Sequence, residues 1–247
     1  MQRAPRIKFC GITRLEDAQL AVAAGAWAIG LILWPGSRRS CDVAEAARIS
    51  AALRRRVEIA GVFVNQPLDE VEALADQLHL SLVQLHGDEG PSYCTEVARR
   101  TGAKVIKAQA VRLGSDVVAV QAFPTDFHLL DTHREGLRGG TGETFDWSTL
   151  ARRHSKVPLI LSGGLTPENV AEAIERTHPF AVDVASGVES APGIKDPERL
   201  AAFAAAVRGT AGEAGAPEPE PEPEPAPAPP TRGTPVRPPS PQEAPTA

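Results

Sequence analysis

The chain has 247 residues, enough for one large domain, and its 26 basic and 31 acidic side chains give a formal net charge of −5. No basic cluster is present that would neutralise nucleic-acid phosphates, and the mostly apolar stretch 20–34 is shorter than the roughly 20 residues that span a bilayer. We therefore expect neither a nucleic-acid partner nor a membrane partner. The three cysteines are scattered without zinc-ligand spacing, which favours a reduced, cytoplasmic setting and no metal site.

The composition changes near residue 209. Residues 209–247 hold 13 of the chain's 23 prolines, six acidic side chains and two arginines, but no aromatic residue. Such a segment buries too little apolar surface to offset the entropy lost on ordering, so we predict a disordered Pro/Glu/Ala-rich tail over 209–247. Its Pro–Glu alternation favours a polyproline II shape that partner domains can bind, but a solvated appendage without a partner is the expectation.

Residues 1–208 alternate between short, apolar, β-rich runs and longer segments with helical periodicity, and this unit occurs eight times. The predicted strands are 7–12, 28–33, 59–64, 81–86, 104–108, 127–131, 158–162 and 181–185. Their nearly continuous hydrophobic runs are typical of parallel strands buried on both faces. Eight βα units of this length predict an α/β protein with a single (β/α)8 TIM barrel over 1–208. An open doubly wound sheet is the alternative, but its first strand is usually followed by a glycine-rich phosphate loop that this chain lacks.

Several residues predict where helices begin and end. Thr13 is the expected N-cap of the first helix, with two acidic residues in the turn that follows. Asp146 and the segment 166–168 are expected to open two later helices. Gly25 and Gly102 lie where helices should end.

Two side chains at strand ends are candidates for acid–base chemistry, because the active site of such a barrel lies at the carboxyl ends of its strands. Cys10 ends the first strand, and a thiol with a lowered pKa there can act as a general base. Asp131 ends the sixth strand, where partial desolvation would raise its pKa towards that of a general acid. An inert buried thiol and a turn-capping aspartate are the structural alternatives.

Glycine-rich segments follow the last three strands. The loop after strand 6 permits positive φ angles and a close approach of backbone to ligand. The ends of strands 7 and 8 predict a phosphate site built from backbone N–H groups. The residues assigned to substrate binding in these segments are Gly140, Gly142, Gly163, Gly164, Ser186 and Gly187.

Two further residues are candidates for substrate contact. Arg38 and Arg39 follow strand 2, and one of them can hold a substrate carboxylate with two parallel hydrogen bonds. We assign Arg39 to this role, although the sequence leaves the choice between the two open. His86 closes strand 4 and is expected to line the pocket.

The ordered motifs of residues 8–195 resemble the phosphoribosylanthranilate isomerase family. These motifs are KFCGIT at 8–13, GVFVN at 61–65, VQLHG at 83–87, LDT at 130–132, GGTG at 139–142, FDW at 145–147, SGGL at 162–165 and DVASGVE at 183–189. Each motif alone is weak, whereas the ordered set is specific and covers nearly the whole predicted barrel. Ala185 and Ser40 depart from the family pattern, which has a frequent serine and an aromatic residue at these positions.

The resemblance implies an Amadori rearrangement in tryptophan biosynthesis, in which N-(5-phosphoribosyl)anthranilate becomes 1-(2-carboxyphenylamino)-1-deoxyribulose 5-phosphate. Asp131 would protonate the furanose ring oxygen, and the thiolate of Cys10 would remove the C2 proton. Arg39 would face the anthranilate carboxylate, and the glycines of strands 7 and 8 the phosphate. The resemblance implies no metal or redox cofactor. We expect either a monomer or a homodimer, and the sequence leaves the choice open.

An isomerase of histidine biosynthesis that acts on an aminoimidazole carboxamide ribonucleotide is the nearest alternative. Its substrate carries two phosphates, so a second glycine-rich site should follow strands 3 and 4. Those ends read FVNQ at 63–66 and LHGD at 85–88, without paired glycines. That relative also usually presents an aspartate on strand 1, where this chain has Cys10.

Overall fold

A closed barrel of eight parallel strands forms the centre of the protein, and its last strand pairs with its first. The computed structural model describes residues 4–131, 147, 150 and 153–211. The strands are β1 (Arg6–Cys10), β2 (Ala28–Ile32), β3 (Glu58–Phe63), β4 (Leu82–Leu85), β5 (Lys104–Ala110), β6 (Phe127–Asp131), β7 (Leu159–Ser162) and β8 (Ala181–Val184). The predicted TIM barrel is therefore confirmed.

Helices follow the strands around the outside of the barrel. Those of the described residues are α1 (Leu15–Ala23), α2 (Val43–Leu53), α3 (Leu68–Gln77), α4 (Pro91–Thr101), α5 (Gly114–Ala119), α6 (Val170–Thr177) and α7 (Pro197–Gly209). A short antiparallel hairpin, β9 (Glu189–Ala191) and β10 (Ile194–Lys195), lies between β8 and α7. None of the helices in the described part of the chain has the length and apolar character needed to cross a membrane.

The predicted helix ends are confirmed, and the predicted starts that the structure describes are wrong. Gly25 and Gly102 follow α1 and α4 with φ of +89° and +66°. Thr13 does not cap α1, because its hydroxyl donates instead to the carbonyl of Gly193 and Arg14 is the N-cap. Residues 167–169 form a turn, and α6 begins only at Val170; the Thr166 N–H donates to Asn169 Oδ1. The predicted start of the tail at residue 209 is wrong, because α7 continues to Gly209 and residues 210–211 are also described. Asp146 and residues 212–247 lie outside the described residues.

Strand alternation divides the apolar core into two shells. Residues such as Phe9, Ile29 and Val83 point outwards and pack against the helices. A separate cluster that includes Ala60 and Leu129 faces the barrel interior. The same alternation turns the last residues of several strands inwards, and this end of the interior becomes polar. The inward-facing polar positions are Lys8, Cys10, Gln84, Asp131, Ser162 and Asp183.

Candidate active site

A buried ion pair lies directly below Cys10 in the barrel. Lys8 and Asp183 are register partners on β1 and β8, and Lys8 Nζ donates to Asp183 Oδ1 at 2.7 Å. Ser162 Oγ on β7 donates to the other oxygen, Oδ2, at 3.1 Å. Both oxygens of the carboxylate are therefore engaged, as a buried charge requires.

Cys10 lies two residues after Lys8 on the same face of β1, with 6% of its surface exposed. Gly30 on β2 is its register partner, and the absent side chain leaves room for the thiol. A Cβ placed on Gly30 would lie 2.7 Å from Cys10 Sγ and 3.1 Å from Lys8 Nζ. The lowered pKa expected for the thiol is wrong, because burial raises the pKa of Cys10 and the charges of Lys8 and Lys195 offset this only in part.

The β9–β10 hairpin brings a second buried charge group to this end of the barrel. Lys195 Nζ donates to Glu189 Oε1 at 3.1 Å and to the carbonyl of Ala185 at 3.0 Å. Glu189 also accepts from Arg39, with Nε–Oε1 at 2.9 Å and Nη2–Oε2 at 2.8 Å. The stem of Arg39 packs over Gly11, next to Cys10. Arg39 therefore lies at the opening of the barrel formed by the carboxyl ends of the strands, which we call the mouth. Its ion pair with Glu189 was not predicted from the sequence.

Asp131 ends β6 at the same mouth and faces His86. The distance between Asp131 Oδ2 and His86 Nε2 is 3.7 Å, and the two side chains are 27% and 35% exposed. Gln84 Nε2 lies 2.9 Å from His86 Nδ1, and an amide nitrogen can only donate. Nε2 is the ring nitrogen that faces the carboxylate of Asp131.

A cavity of about 540 Å³ borders His86 over the ends of β3, β4 and β5. Its polar lining includes Asn65, Lys107 and Arg112. Lys107 is a buried cation held by Glu89 Oε2 at 2.9 Å and by the carbonyl of Gly87. The cavity lies away from the β7 and β8 loops, so the predicted phosphate residues do not line it.

The predicted phosphate residues lie in two loops that contact each other. Gly163 and Gly164 follow β7 with φ of +99° and +63°, values that an L side chain rarely adopts. Ser186 and Gly187 begin a 3-10 turn after β8, and a Cβ on Gly187 would overlap the carbonyl oxygen of Leu165. The structure thus places these four residues side by side, whereas Gly140 and Gly142 lie outside the described residues.

Sequence reasoning missed four charged residues of this mouth, Lys8, Asp183, Glu189 and Lys195. A charged residue inside an apolar strand was a signal for the first two, because Lys8 shares a face with Cys10. No comparable signal marks Glu189, which meets Arg39 across 150 residues of sequence.

Comparison with known proteins identifies the family of this chain. The model of the N-(5'phosphoribosyl)anthranilate (PRA) isomerase family matches residues 7–206. The chain belongs to the PRA isomerase family. The isomerase of Chromohalobacter salexigens is 50% identical over 212 residues, which are 85% of this chain and 97% of that protein. The isomerase of Pseudomonas fluorescens strain Pf-5 is 50% identical over 207 residues, 83% of this chain and 96% of the relative.

Solved structures of PRA isomerases show the same barrel. The enzyme of Thermotoga maritima superposes with a TM-score of 0.74 at 42% identity, over 83% of this chain and 99% of that one. A second structure, at 40% identity and a TM-score of 0.72, covers the same 83% and 99% and was solved with reduced 1-(o-carboxyphenylamino)-1-deoxyribulose 5-phosphate.

Proposed function

We propose that this chain isomerises N-(5'-phosphoribosyl)anthranilate to 1-(2-carboxyphenylamino)-1-deoxyribulose 5-phosphate in tryptophan biosynthesis. The observation that carries the proposal is the position of Cys10 and Asp131 at the inward-facing carboxyl ends of β1 and β6, in a chain that belongs to the PRA isomerase family. A relative that is 40% identical was solved with a reduced form of the product of this reaction, which supports the choice of substrate.

The first step assigns the general acid to Asp131. Its carboxyl group protonates the furanose ring oxygen, the C1–O bond breaks, and the nitrogen lone pair forms the C1=N bond of a Schiff base. His86 Nε2 lies 3.7 Å from Asp131 Oδ2, so this ring nitrogen faces the carboxylate that the step creates. A polar group therefore lies beside the charge that forms, which favours release of the proton.

The second step assigns the general base to Cys10. Its thiolate removes the C2 proton, and the electron pair of the C2–H bond moves into the C1=N system to give an enolamine. The enol oxygen then loses its proton while C1 gains one, which leaves the C2 ketone. Lys8 and Lys195 supply the positive charge that opposes the effect of burial on the thiol.

Substrate binding is assigned to two sides of the mouth. Glu189 engages Nε and Nη2 of Arg39, and we assign Nη1 to the anthranilate carboxylate. We assign the phosphate to the paired loops after β7 and β8, which hold Gly163, Gly164, Ser186 and Gly187. The carboxylate and the phosphate of the substrate are thus assigned to different groups, the first to Arg39 and the second to the two loops.

The remaining assignments concern the whole chain. We infer a cytoplasmic enzyme that needs no metal or redox cofactor and acts as a monomer or homodimer. A dimeric Thermotoga maritima relative at 40% identity was also solved as generated monomers, so both states have support. Because α7 continues to Gly209, residues 1–211 are proposed as the catalytic domain and 212–247 as a tail without a partner or a part in turnover.

The test follows anthranilate-type fluorescence while purified protein acts on phosphoribosylanthranilate that is made in situ. We expect rapid conversion that is lost in Cys10→Ala and Asp131→Asn but retained in Cys94→Ala, which removes a buried thiol of α4, and after deletion of residues 212–247. No conversion by folded protein, or turnover of the two-phosphate aminoimidazole carboxamide substrate in its place, would overturn the proposal.

A further inference from the structure

The ammonium group of Lys8 is fully buried inside the barrel, where an unpaired charge would be costly. Asp183 provides one partner, and its other oxygen is held by Ser162. The sulfur of Cys10 lies beside the same ammonium group, because both atoms border the space next to Gly30. The same ammonium therefore joins a fixed carboxylate to the thiol of the proposed general base.

The backbone enforces this contact. Lys8 and Cys10 are two residues apart on β1, so their side chains lie on the same face of the strand. Gly30 on the neighbouring strand has no side chain to fill the space between them. A methyl group on Gly30 would lie 2.7 Å from the sulfur and 3.1 Å from Nζ. The two atoms consequently share a volume that only glycine on β2 provides.

The charges around Cys10 decide whether the surroundings favour the neutral thiol or the thiolate. Lys8 on β1, Asp183 on β8 and Lys195 on β10 are the charged groups that act on Cys10. Lys195 in turn pairs with Glu189, which also binds Arg39. These five residues, the charge cluster, hold three cations and two anions, a net of +1 with a neutral thiol. A thiolate at Cys10 makes the cluster neutral.

The geometry points to Lys8 as a positioning residue: we propose that Lys8, held in place by Asp183, stabilises the thiolate of Cys10, and that Gly30 is required for this contact. The inference rests on the proposed function in so far as that thiolate is the base of the reaction. The state of the thiol can nevertheless be measured without substrate.

The experiment titrates Cys10 in full-length protein that carries Cys41→Ala and Cys94→Ala. This background is needed because burial raises the pKa of Cys41 to about 12 and that of Cys94 to about 11. Thiolate absorbance in the ultraviolet and the rate of alkylation by iodoacetamide are recorded against pH. Lys8→Met should move the midpoint to higher pH and lower alkylation at neutral pH by roughly tenfold or more, since a tenfold loss corresponds to one pKa unit.

Asp183→Asn is the second variant, and it should move the midpoint in the opposite direction. It removes an anion from the charge cluster and leaves Lys8 charged, so the thiolate gains stability. A merely structural role for the pair would not produce opposite shifts. Lys107→Met is the matched control, because it removes another buried, ion-paired lysine of the barrel, on β5, and should leave the titration of Cys10 unchanged.

The outcomes separate this inference from the proposed function. Equal midpoints in Lys8→Met and Lys107→Met, or shifts of the same sign in Lys8→Met and Asp183→Asn, would overturn it even if the protein turns over phosphoribosylanthranilate. Opposite shifts in a protein without turnover would retain the role of Lys8 and reject the isomerase. Where both hold, the acidic limb of the kcat/KM profile should move upwards in Lys8→Met by the amount that the thiol titration shows.

Discussion

Replacement of Glu189 by glutamine is the most informative change at the mouth outside the two reacting residues. The carboxylate is 4% exposed and accepts from Arg39 Nη2 at 2.8 Å and from Lys195 Nζ at 3.1 Å. Glutamine keeps the shape and one acceptor oxygen, but it removes the charge that both cations face. Because loss of one partner leaves a buried charge uncompensated, we expect Glu189→Gln to lower the free energy of unfolding by about 3 kcal/mol.

The pH dependence of this loss follows from the pKa of Glu189. Burial acts to raise that pKa, but the hydrogen bonds and charges of Arg39 and Lys195 outweigh it and lower the value below 4.5. A carboxyl group with a lowered folded pKa stabilises the protein above its unfolded pKa, and the contribution disappears as pH falls through the folded value. Urea unfolding of wild type and variant should therefore converge in acid. An equal difference at pH 7 and in strong acid would refute the charge argument.

The same variant tests how Arg39 is oriented for substrate. Without Glu189 the guanidinium is free to turn, so KM for phosphoribosylanthranilate should rise about tenfold, which corresponds to about 1.4 kcal/mol, while kcat changes less. An analogue that lacks the anthranilate carboxylate should show no such rise. Equal increases of KM for both substrates would show that the change disturbs the mouth as a whole and does not act through Arg39.

Three further changes test separate parts of the structure. Gly30→Ala should abolish most turnover at a cost of about 1–3 kcal/mol in stability, because its methyl group would displace the thiol of Cys10; circular dichroism and the fluorescence assay separate the two effects. Gly102→Ala should lower the free energy of unfolding in urea by about 1–2 kcal/mol, because Gly102 has a φ of +66° and alanine is strained there. No atom lies within 4 Å of the added Cβ, so crowding does not contribute. Gly209→Ala is the control, because it has the same open space without a positive φ and should cost nothing. Burial lowers the pKa of His128 below 6.5, so the unfolded chain binds the proton first and stability should fall as pH drops below 6.5; His128→Gln should lose this component in urea unfolding at pH 7 and pH 5.5.

The eight strands were predictable because each is a compact apolar run, and parallel strands buried on both faces leave that pattern in the sequence. Helix starts were not, because local signals compete. The hydroxyl of Thr13 donates to a residue 180 positions away instead of capping its own helix. The Asn169 side chain accepts from the Thr166 N–H, and the helix begins after this turn rather than at Pro167.

The sequence predicted which residues lie at the strand ends of the mouth, but not the contacts that these residues make. Cys10 and Asp131 lie at strand ends, which the strand pattern gives. The pKa of the thiol depends on burial and on the charges of Lys8, Asp183 and Lys195. The ion pairs of Lys8 and Arg39 exist only once β1 meets β8 and the hairpin folds back. Such contacts depend on barrel closure, which the order of residues does not display.

The central claim is that Cys10 removes the C2 proton of a substrate whose ring Asp131 has opened. Single-turnover conversion of phosphoribosylanthranilate carrying deuterium at C2 tests it most directly. We expect the deuterium to slow conversion in the wild type, and Cys10→Ala to give no conversion while it remains folded. Conversion by Cys10→Ala at the wild-type rate would contradict the account, because the C2 proton would then leave to another group.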